Sequence, residues 1–307
     1  MKFADRLQAS IEKNSSCLCA GFDPRLDTFP LCILKDAEKQ KTTEDSIYQA
    51  LTDFHALALS ACADRIACVK PNIAFFECLG LAGLRALQSI IAMIKEYKLP
   101  VILDGKRGDI GSTATAYSSA FLGKSTAFGK EIEFLNADAL TINPFLGFDT
   151  LQPFLDDCCQ YDKGLFVLVK TSNPGSSAIQ DLTCSGTTVS EKIAEWLNSK
   201  GEDLMGSCGY SGLGAVVGAT YPEQAKALRS KMPDNFFLIP GLSTQGAGAA
   251  DACAGFSTKT PRGAAITNVS RGLLGKFSPD ISREDLKIEI QNRADNLNRS
   301  LKEALQG

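Results

Sequence analysis

Eight short apolar runs, separated by segments of helical periodicity, constrain the fold of this chain more than any other feature. They cover residues 17–22, 66–70, 101–104, 139–142, 165–169, 215–218, 236–239 and 264–269. Each is bounded by Gly, Pro, Asn or Asp, as strands are. They show little polar alternation, which suits strands covered on both faces of a parallel sheet. Between them, Ile47, Ala50, Leu51, Phe54, Leu57, Ala58 and Ala61 follow helical spacing, as do Leu81, Leu84, Leu87, Ile90, Ile91 and Ile94. The first thirteen residues place Phe3, Leu7 and Ile11 on one helical stripe. A last helix begins near Ser282, with Asp285 as its capping partner and a stripe of Leu286, Ile290, Ala294, Leu297, Leu301 and Leu305. Eight β units with intervening helices predict an α/β fold: one (β/α)8 TIM barrel with extra N- and C-terminal helices, a single domain over residues 1–307. A doubly wound open sheet is the rival. Even strand spacing without a break in composition favours closure. Two connections, 23–41 and 172–214, exceed what a minimal barrel needs, and loops of that length are commonly lids or binding segments.

Composition removes several classes of function. Thirty-two basic residues against 35 acidic give a net charge of −3, so there is no basic field for nucleic acid or an anionic membrane. No apolar run approaches the ~18 residues of a membrane span, and the N-terminus lacks the apolar core of a signal peptide. One histidine, His55, rules out a two-His zinc site, and its place in a helical pattern marks it as a helix residue. The 11 cysteines include no C-x-x-C pair. They read as small packing residues of a reduced, soluble, cytoplasmic protein. No metal or organic cofactor is called for.

In a barrel the chemistry sits at the C-terminal ends of the strands. Strand 1 ends in Asp23, strand 2 in Lys70, strand 4 in Asn143, strand 7 in Pro240 and Gly241, with Gln245 shortly after, and strand 8 in Arg271. Strand 3 is the richest, delivering Asp104, Lys106 and Asp109 within VILDGKRGDIGSTA. Asp104 and Lys106 are two apart, so on a strand they point the same way. With Lys70 from the neighbouring strand, two lysines and two aspartates meet at one barrel mouth, each sign holding the other ionised. An ammonium held in this way can stabilise a developing carbanion and then protonate it. A carboxylate can repel a substrate carboxylate that leaves as CO2. Pro240–Gly241 and Arg271 match the usual barrel phosphate position. Lys170, at the end of strand 5, raises the alternative of a Schiff-base lysine. Cys68 shares side-chain parity with Lys70, so it either lines the barrel or packs.

DGKRGDIGSTA resembles the D-x-K-x-x-D-I-x-x-T signature of the orotidine 5′-monophosphate decarboxylases, in the longer form that carries D-G-K-R-G-D. Lys70, the TSNPG of 171–175, the PGLSTQG of 240–246 and Arg271 follow in order, so the resemblance spans roughly 17–272. It implies decarboxylation of orotidine 5′-monophosphate (OMP) to uridine 5′-monophosphate (UMP) without a cofactor, the last step of de novo pyrimidine synthesis. It implies that Lys106 donates the proton to C6, that Asp104 sits beside the departing carboxylate, and that Lys70 and Asp109 complete the charged network. Asp23 would bind a ribose hydroxyl, Ser172 would read the pyrimidine amide, and Gln245 and Arg271 would hold the phosphate. Asp109, Ile110 and Thr113 would act across the interface of a homodimer with composite sites. Shorter members have Gly before the phosphate Arg; here Ser270 precedes Arg271 and Gly272 follows it. Three alternatives stay open: related Mg²⁺-dependent phosphosugar enzymes with D-x-K-x-x-D, a catalytically silent nucleotide-binding barrel, and one part of a bifunctional enzyme joined to a phosphoribosyltransferase.

Overall fold

The computed structural model describes residues 1–242, 248–257, 259 and 263–306. All eight predicted runs are strands: β1 (Leu18–Phe22), β2 (Cys68–Pro71), β3 (Ile102–Arg107), β4 (Ala139–Ile142), β5 (Gly164–Lys170), β6 (Ser211–Val217), β7 (Asn235–Pro240) and β8 (Ala265–Val269). They form one parallel sheet in the order β2-β1-β8-β7-β6-β5-β4-β3. Bridges between Val69 and Val101, and between Asn72 and Asp104, join β3 back to β2 and bring the sheet round into a barrel. The fold is therefore the predicted TIM barrel, and the open-sheet rival is excluded.

Two strands extend three or more residues beyond their apolar runs. β3 continues through Gly105, Lys106 and Arg107, where charge hides it. β6 starts at Ser211 rather than 215, because Gly212 and Gly214 carry no strand signal. Gly214 answers to packing. A Cβ on Gly214 would lie 2.6 Å from the Phe166 ring and 2.6 Å from the Phe236 carbonyl oxygen. Two small exposed hairpins, Ser125–Ala127 with Lys130–Ile132 and Thr183–Cys184 with Thr187–Thr188, have no apolar pattern that could announce them.

The helix Phe3–Asn14 seals the N-terminal end of the barrel. Its stripe of Phe3, Leu7 and Ile11 is buried. Phe3 meets Phe166 edge to face at 6.0 Å, in a space that exists because Gly164 has no side chain: a Cβ there would sit 2.2 Å from the Phe3 ring. Polar groups on the same helix reach the strand starts. Ser10 donates to the Ala67 carbonyl at 2.6 Å, Asn14 to that of Ile66 at 2.7 Å, and Arg6 pairs with Asp138 at 3.0 Å. The C-terminal helix Arg283–Gln306 is capped by Ser282, whose Oγ accepts from Asp285 N at 3.1 Å, and buries Leu286, Ile290, Ala294 and Leu301.

The connection 23–41 is not a lid. It folds into a short 3-10 turn, Leu26–Thr28, and a helix, Leu31–Ala37. Phe29 stacks on Phe54 at 4.1 Å, and Asp36 pairs with Arg283 at 3.0 Å. Only its first residue, Asp23, reaches the barrel mouth. His55 is buried in the helix Thr43–Cys62, with Nδ1 2.6 Å from the Leu51 carbonyl oxygen and its ring 4.5 Å from that of Phe22. Burial holds its pKa down at about 4, so it stays neutral as a core residue. No helix among the described residues is long and apolar enough to cross a membrane.

Truncating the barrel seal should be costly. Phe3→Ala is expected to lose about 3–5 kcal/mol of stability in equilibrium urea unfolding. A loss below ~1 kcal/mol would mean that the helix does not pack as described.

Candidate active site

The C-terminal end of the barrel opens into a cavity of about 1130 Å³, lined by residues from every wall of the mouth, among them Asp23, Lys70, Asp104, Lys106, Ser172 and Asn268. At its floor Asp104 lies between two ammoniums. Lys70 Nζ is 2.7 Å from Asp104 Oδ2, and Lys106 Nζ contacts Oδ1. Thr141 Oγ1 donates to the same Oδ1 at 2.9 Å.

The local sequence explains how Lys106 reaches this point. The pairing of β3 with β4 slips between Leu103 and Arg107, and Lys106 adopts a left-handed φ of 46°. A register slip with one residue at positive φ is a bulge that re-aims a side chain. Its neighbours make room: a Cβ on Gly105 would crowd Leu140 at 3.2 Å, and one on Gly108 would lie 2.8 Å from the Asn143 carbonyl oxygen. The Lys106 backbone N–H donates to Thr141 Oγ1 at 3.0 Å, so Thr141 holds both the bulge and the carboxylate. Strand alternation predicted the Asp104–Lys106 pairing, although the backbone that makes the pair is irregular.

The electrostatics follow from burial. The side chains of Asp104 and Lys70 are only 9% and 5% exposed, whereas that of Lys106 is 49% exposed. Burial alone would raise the Asp104 pKa, but Lys70 and Lys106 overcome it and hold the carboxyl well below the usual range. Burial would likewise lower Lys70, yet Asp104 and Asp23 raise it above the ordinary value. Asp104 and Lys70 therefore hold each other in their charged forms despite their burial. Two further acceptors, Asp23 Oδ1 and Asn268 Oδ1, are buried at the cavity with no hydrogen-bond partner among the described residues. Buried acceptors of this kind call for donors from a ligand or from ordered water.

The predicted residues divide into groups. Lys70, Asp104, Lys106, Asp23 and Ser172 line one cavity. Asp109, Ile110 and Thr113 do not line the cavity of their own chain: Asp109 Oδ1 accepts from the Ile110 N–H at 2.8 Å, and Ile110 is 63% exposed. Arg271 begins the short helix Arg271–Leu274, exposed beyond β8. Gln245 lies outside the described residues. Of the long connection 172–214, the first part forms one wall of the cavity, through Asn173, Ile179, Leu182 and Cys184 among others. Lys170 does not line the cavity and is paired with Asp181 at 2.8 Å, so it is not placed to attack a substrate carbonyl there as a Schiff-base lysine would. Cys68 is fully buried beside Cys19, and burial pushes its thiol well up. Sequence reasoning missed Thr141 and Asn268. Thr141 was visible as a lone polar residue inside an apolar strand, and Asn268 as part of the polar pair Thr267–Asn268 near the end of β8.

Asp104→Asn should cost about 3–5 kcal/mol at neutral pH, because Lys70 then stays buried without its carboxylate. Folding lowers the Asp104 pKa, so its contribution is complete above the ordinary value of 3.8 and is lost only as pH falls below it. Urea unfolding of wild type and variant should therefore give a constant difference from pH 7 to about 5 that shrinks in more acidic solution. A difference that already shrinks between pH 7 and 5 would contradict a depressed Asp104.

This geometry has close relatives. Residues 18–281 match the family described as Orotidine 5'-phosphate decarboxylase / HUMPS. The chain is 42% identical over 274 residues to an orotidine 5'-phosphate decarboxylase of Rhodopirellula baltica, covering 89% of this chain and 88% of that protein. It is 36% identical over 304 residues to one of Thermomicrobium roseum, covering 99% and 97%. The solved OMP decarboxylase of Leishmania donovani superposes with a TM-score of 0.72 at 31% identity, with both chains covered in full. A barrel of the same kind, matched along nearly its whole length by proteins of one name, leaves a single assignment: the chain belongs to the orotidine 5'-phosphate decarboxylase / HUMPS family.

Proposed function

We propose that the chain decarboxylates OMP to UMP and CO2, completing de novo pyrimidine synthesis. The observation that carries this reading is the buried carboxylate of Asp104 held between Lys70 and Lys106 at the floor of the cavity. The bond from C6 of the pyrimidine to its carboxylate breaks, CO2 departs, and the electron pair stays on C6. Lys106, the more exposed of the two lysines, stabilises that charge and delivers a proton from Nζ. Asp104 stands beside the substrate carboxylate and repels it until it leaves, an interaction that favours the transition state over the ground state. Lys70 keeps Asp104 ionised and in place. The unpartnered Asp23 oxygen suits a ribose hydroxyl. Ser172 faces the base from the opposite wall, and Arg271 and Gln245 take the phosphate. The barrier falls through positioning and fixed charge, so no metal or organic cofactor is needed. Eleven cysteines without a C-x-x-C pair agree with a reduced cytoplasmic setting.

Loss of orotidylate absorbance in the presence of EDTA tests the reaction. Turnover should persist. Activity abolished by EDTA and restored by Mg²⁺ would favour the metal-dependent relatives. Lys106→Ala should lower kcat by at least ~100-fold, within the range of positioned general acids, while product UMP still binds. A kcat within ~10-fold of wild type, a barrier change near 1.4 kcal/mol, would reject Lys106 as proton donor.

We further propose a homodimer with shared sites. Asp109, Ile110 and Thr113 lie on the loop and helix that follow β3, outside their own cavity. The adjoining 143–147 loop adds Phe145 and Leu146, which with Ile110 are 76%, 50% and 63% exposed. Exposed apolar side chains on two touching loops at the mouth support an interface there. Mixing inactive Lys106→Ala and Asp109→Ala chains should restore about a quarter of the sites, given free exchange into closed symmetric pairs. If mass measurement finds heterodimers and activity does not return, Asp109 serves its own chain.

A further inference from the structure

Lys170 is the most deeply buried lysine at the active end of the barrel, with 1% of its surface exposed, and the proposed reaction does not use it. It ends β5, directly before the segment that forms one wall of the cavity. Its Nζ donates to both oxygens of Asp181 at 2.8 Å and lies 4.5 Å from the centre of the Tyr221 ring. Next to this pair is a second clasp between the same two stretches of chain. The Thr171 N–H donates to Gln180 Oε1 at 2.9 Å, and Gln180 Nε2 donates to Thr171 Oγ1 at 2.9 Å. Residues 170–171 and 180–181 are thus tied together, and the intervening loop carries Ser172.

The wall has little apolar anchoring of its own. Ile179 and Leu182 line the cavity yet are 52% and 56% exposed. Its position therefore depends on the polar clasps. Of these the Lys170–Asp181 pair is the one shielded from water, because Lys170 is enclosed while Asp181 keeps 29% exposure. A buried ammonium without its carboxylate is strongly disfavoured. The pair consequently favours the seated wall over an open one, a two-state bias set by a contact that touches no substrate.

We propose that Lys170 is a positioning residue: through Asp181 it latches the 172–188 wall so that Ser172 is already in place before the nucleotide arrives. The kinetic part of this inference rests on the OMP reading above. If the latch is broken, the binding-competent fraction of free protein falls and the apparent affinity falls with it, whereas saturating substrate refills the seated state. The expected signature is a raised KM with kcat little changed.

Two variants test it. Lys170→Met keeps the buried chain and removes the charge, leaving Asp181 in contact with solvent. Asp181→Asn weakens the pair from its half-exposed side, so one folded variant is at hand even if the other fails. For each, KM for orotidylate should rise about 10-fold while kcat stays within threefold. Limited chymotrypsin digestion of the ligand-free protein, read by mass spectrometry, should show cleavage at Leu182 accelerated about 10-fold with the thermal midpoint almost unmoved. Unchanged KM and unchanged cleavage would overturn the latch. Cleavage rising throughout the chain together with a large fall in thermal midpoint would also overturn it, making Lys170 a fold residue. The digestion needs no substrate, so it decides on the latch even if wild-type protein proves unable to turn over orotidylate.

Discussion

The organisation of this barrel depends on one buried carboxylate. Asp104 lies almost out of solvent, yet its pKa is held down, because two ammoniums and a threonine hydroxyl replace the water it has lost. Removing a charge from water costs several kcal/mol unless its partners are well placed. That requirement reaches outwards. It fixes Lys70 at the end of β2, it requires the bulge that turns Lys106 inward, and it explains why β4 carries a threonine among apolar neighbours. The glycines around the bulge follow in turn, since Gly105 and Gly108 leave the space in which β3 passes β4.

The frame was legible in the sequence because burial on both faces of a parallel strand leaves a plain signal. All eight strands could be placed from short apolar runs, and both terminal helices from their stripes. What escaped had other causes. Charge hid the end of β3 and glycine hid the start of β6, although Gly105 and Gly214 each answer to a close neighbour on the adjoining strand. The hairpins at 125–132 and 183–188 are polar and exposed, so nothing in their composition separates strand from loop.

The cavity was legible in part. Lys70, Asp104 and Lys106 could be assembled from strand ends alone, since topology brings those ends together. Asp23 was also legible as a strand end, while its role and that of Ser172 came from the family resemblance; the structure puts both at the cavity. Asp109, Ile110 and Thr113 could not be judged from one chain, as they face away from its own cavity. Thr141 and Asn268 were overlooked because one or two polar residues in an otherwise apolar strand also suit ordinary packing. Length misled at 23–41: that connection resembles a lid in size, but its phenylalanine and aspartate tie it to the outer helices.

The seal at the N-terminal end has a consequence for the order in which the molecule is made. Its helix precedes every strand of the barrel in the chain, yet it closes on partners far along it. Asp5 accepts from the Cys208 N–H across a separation of 203 residues, and Phe3 rests on Phe166. Until β5 and β6 have been synthesised, Phe3, Leu7 and Ile11 have no complete surface on which to settle, and contacts of such long separation form slowly. The growing chain therefore carries an amphipathic helix without its full docking surface until its partners 203 residues further on have been made. In that interval it is exposed to aggregation and is a ready substrate for chaperones, even though the finished barrel hides every one of those side chains.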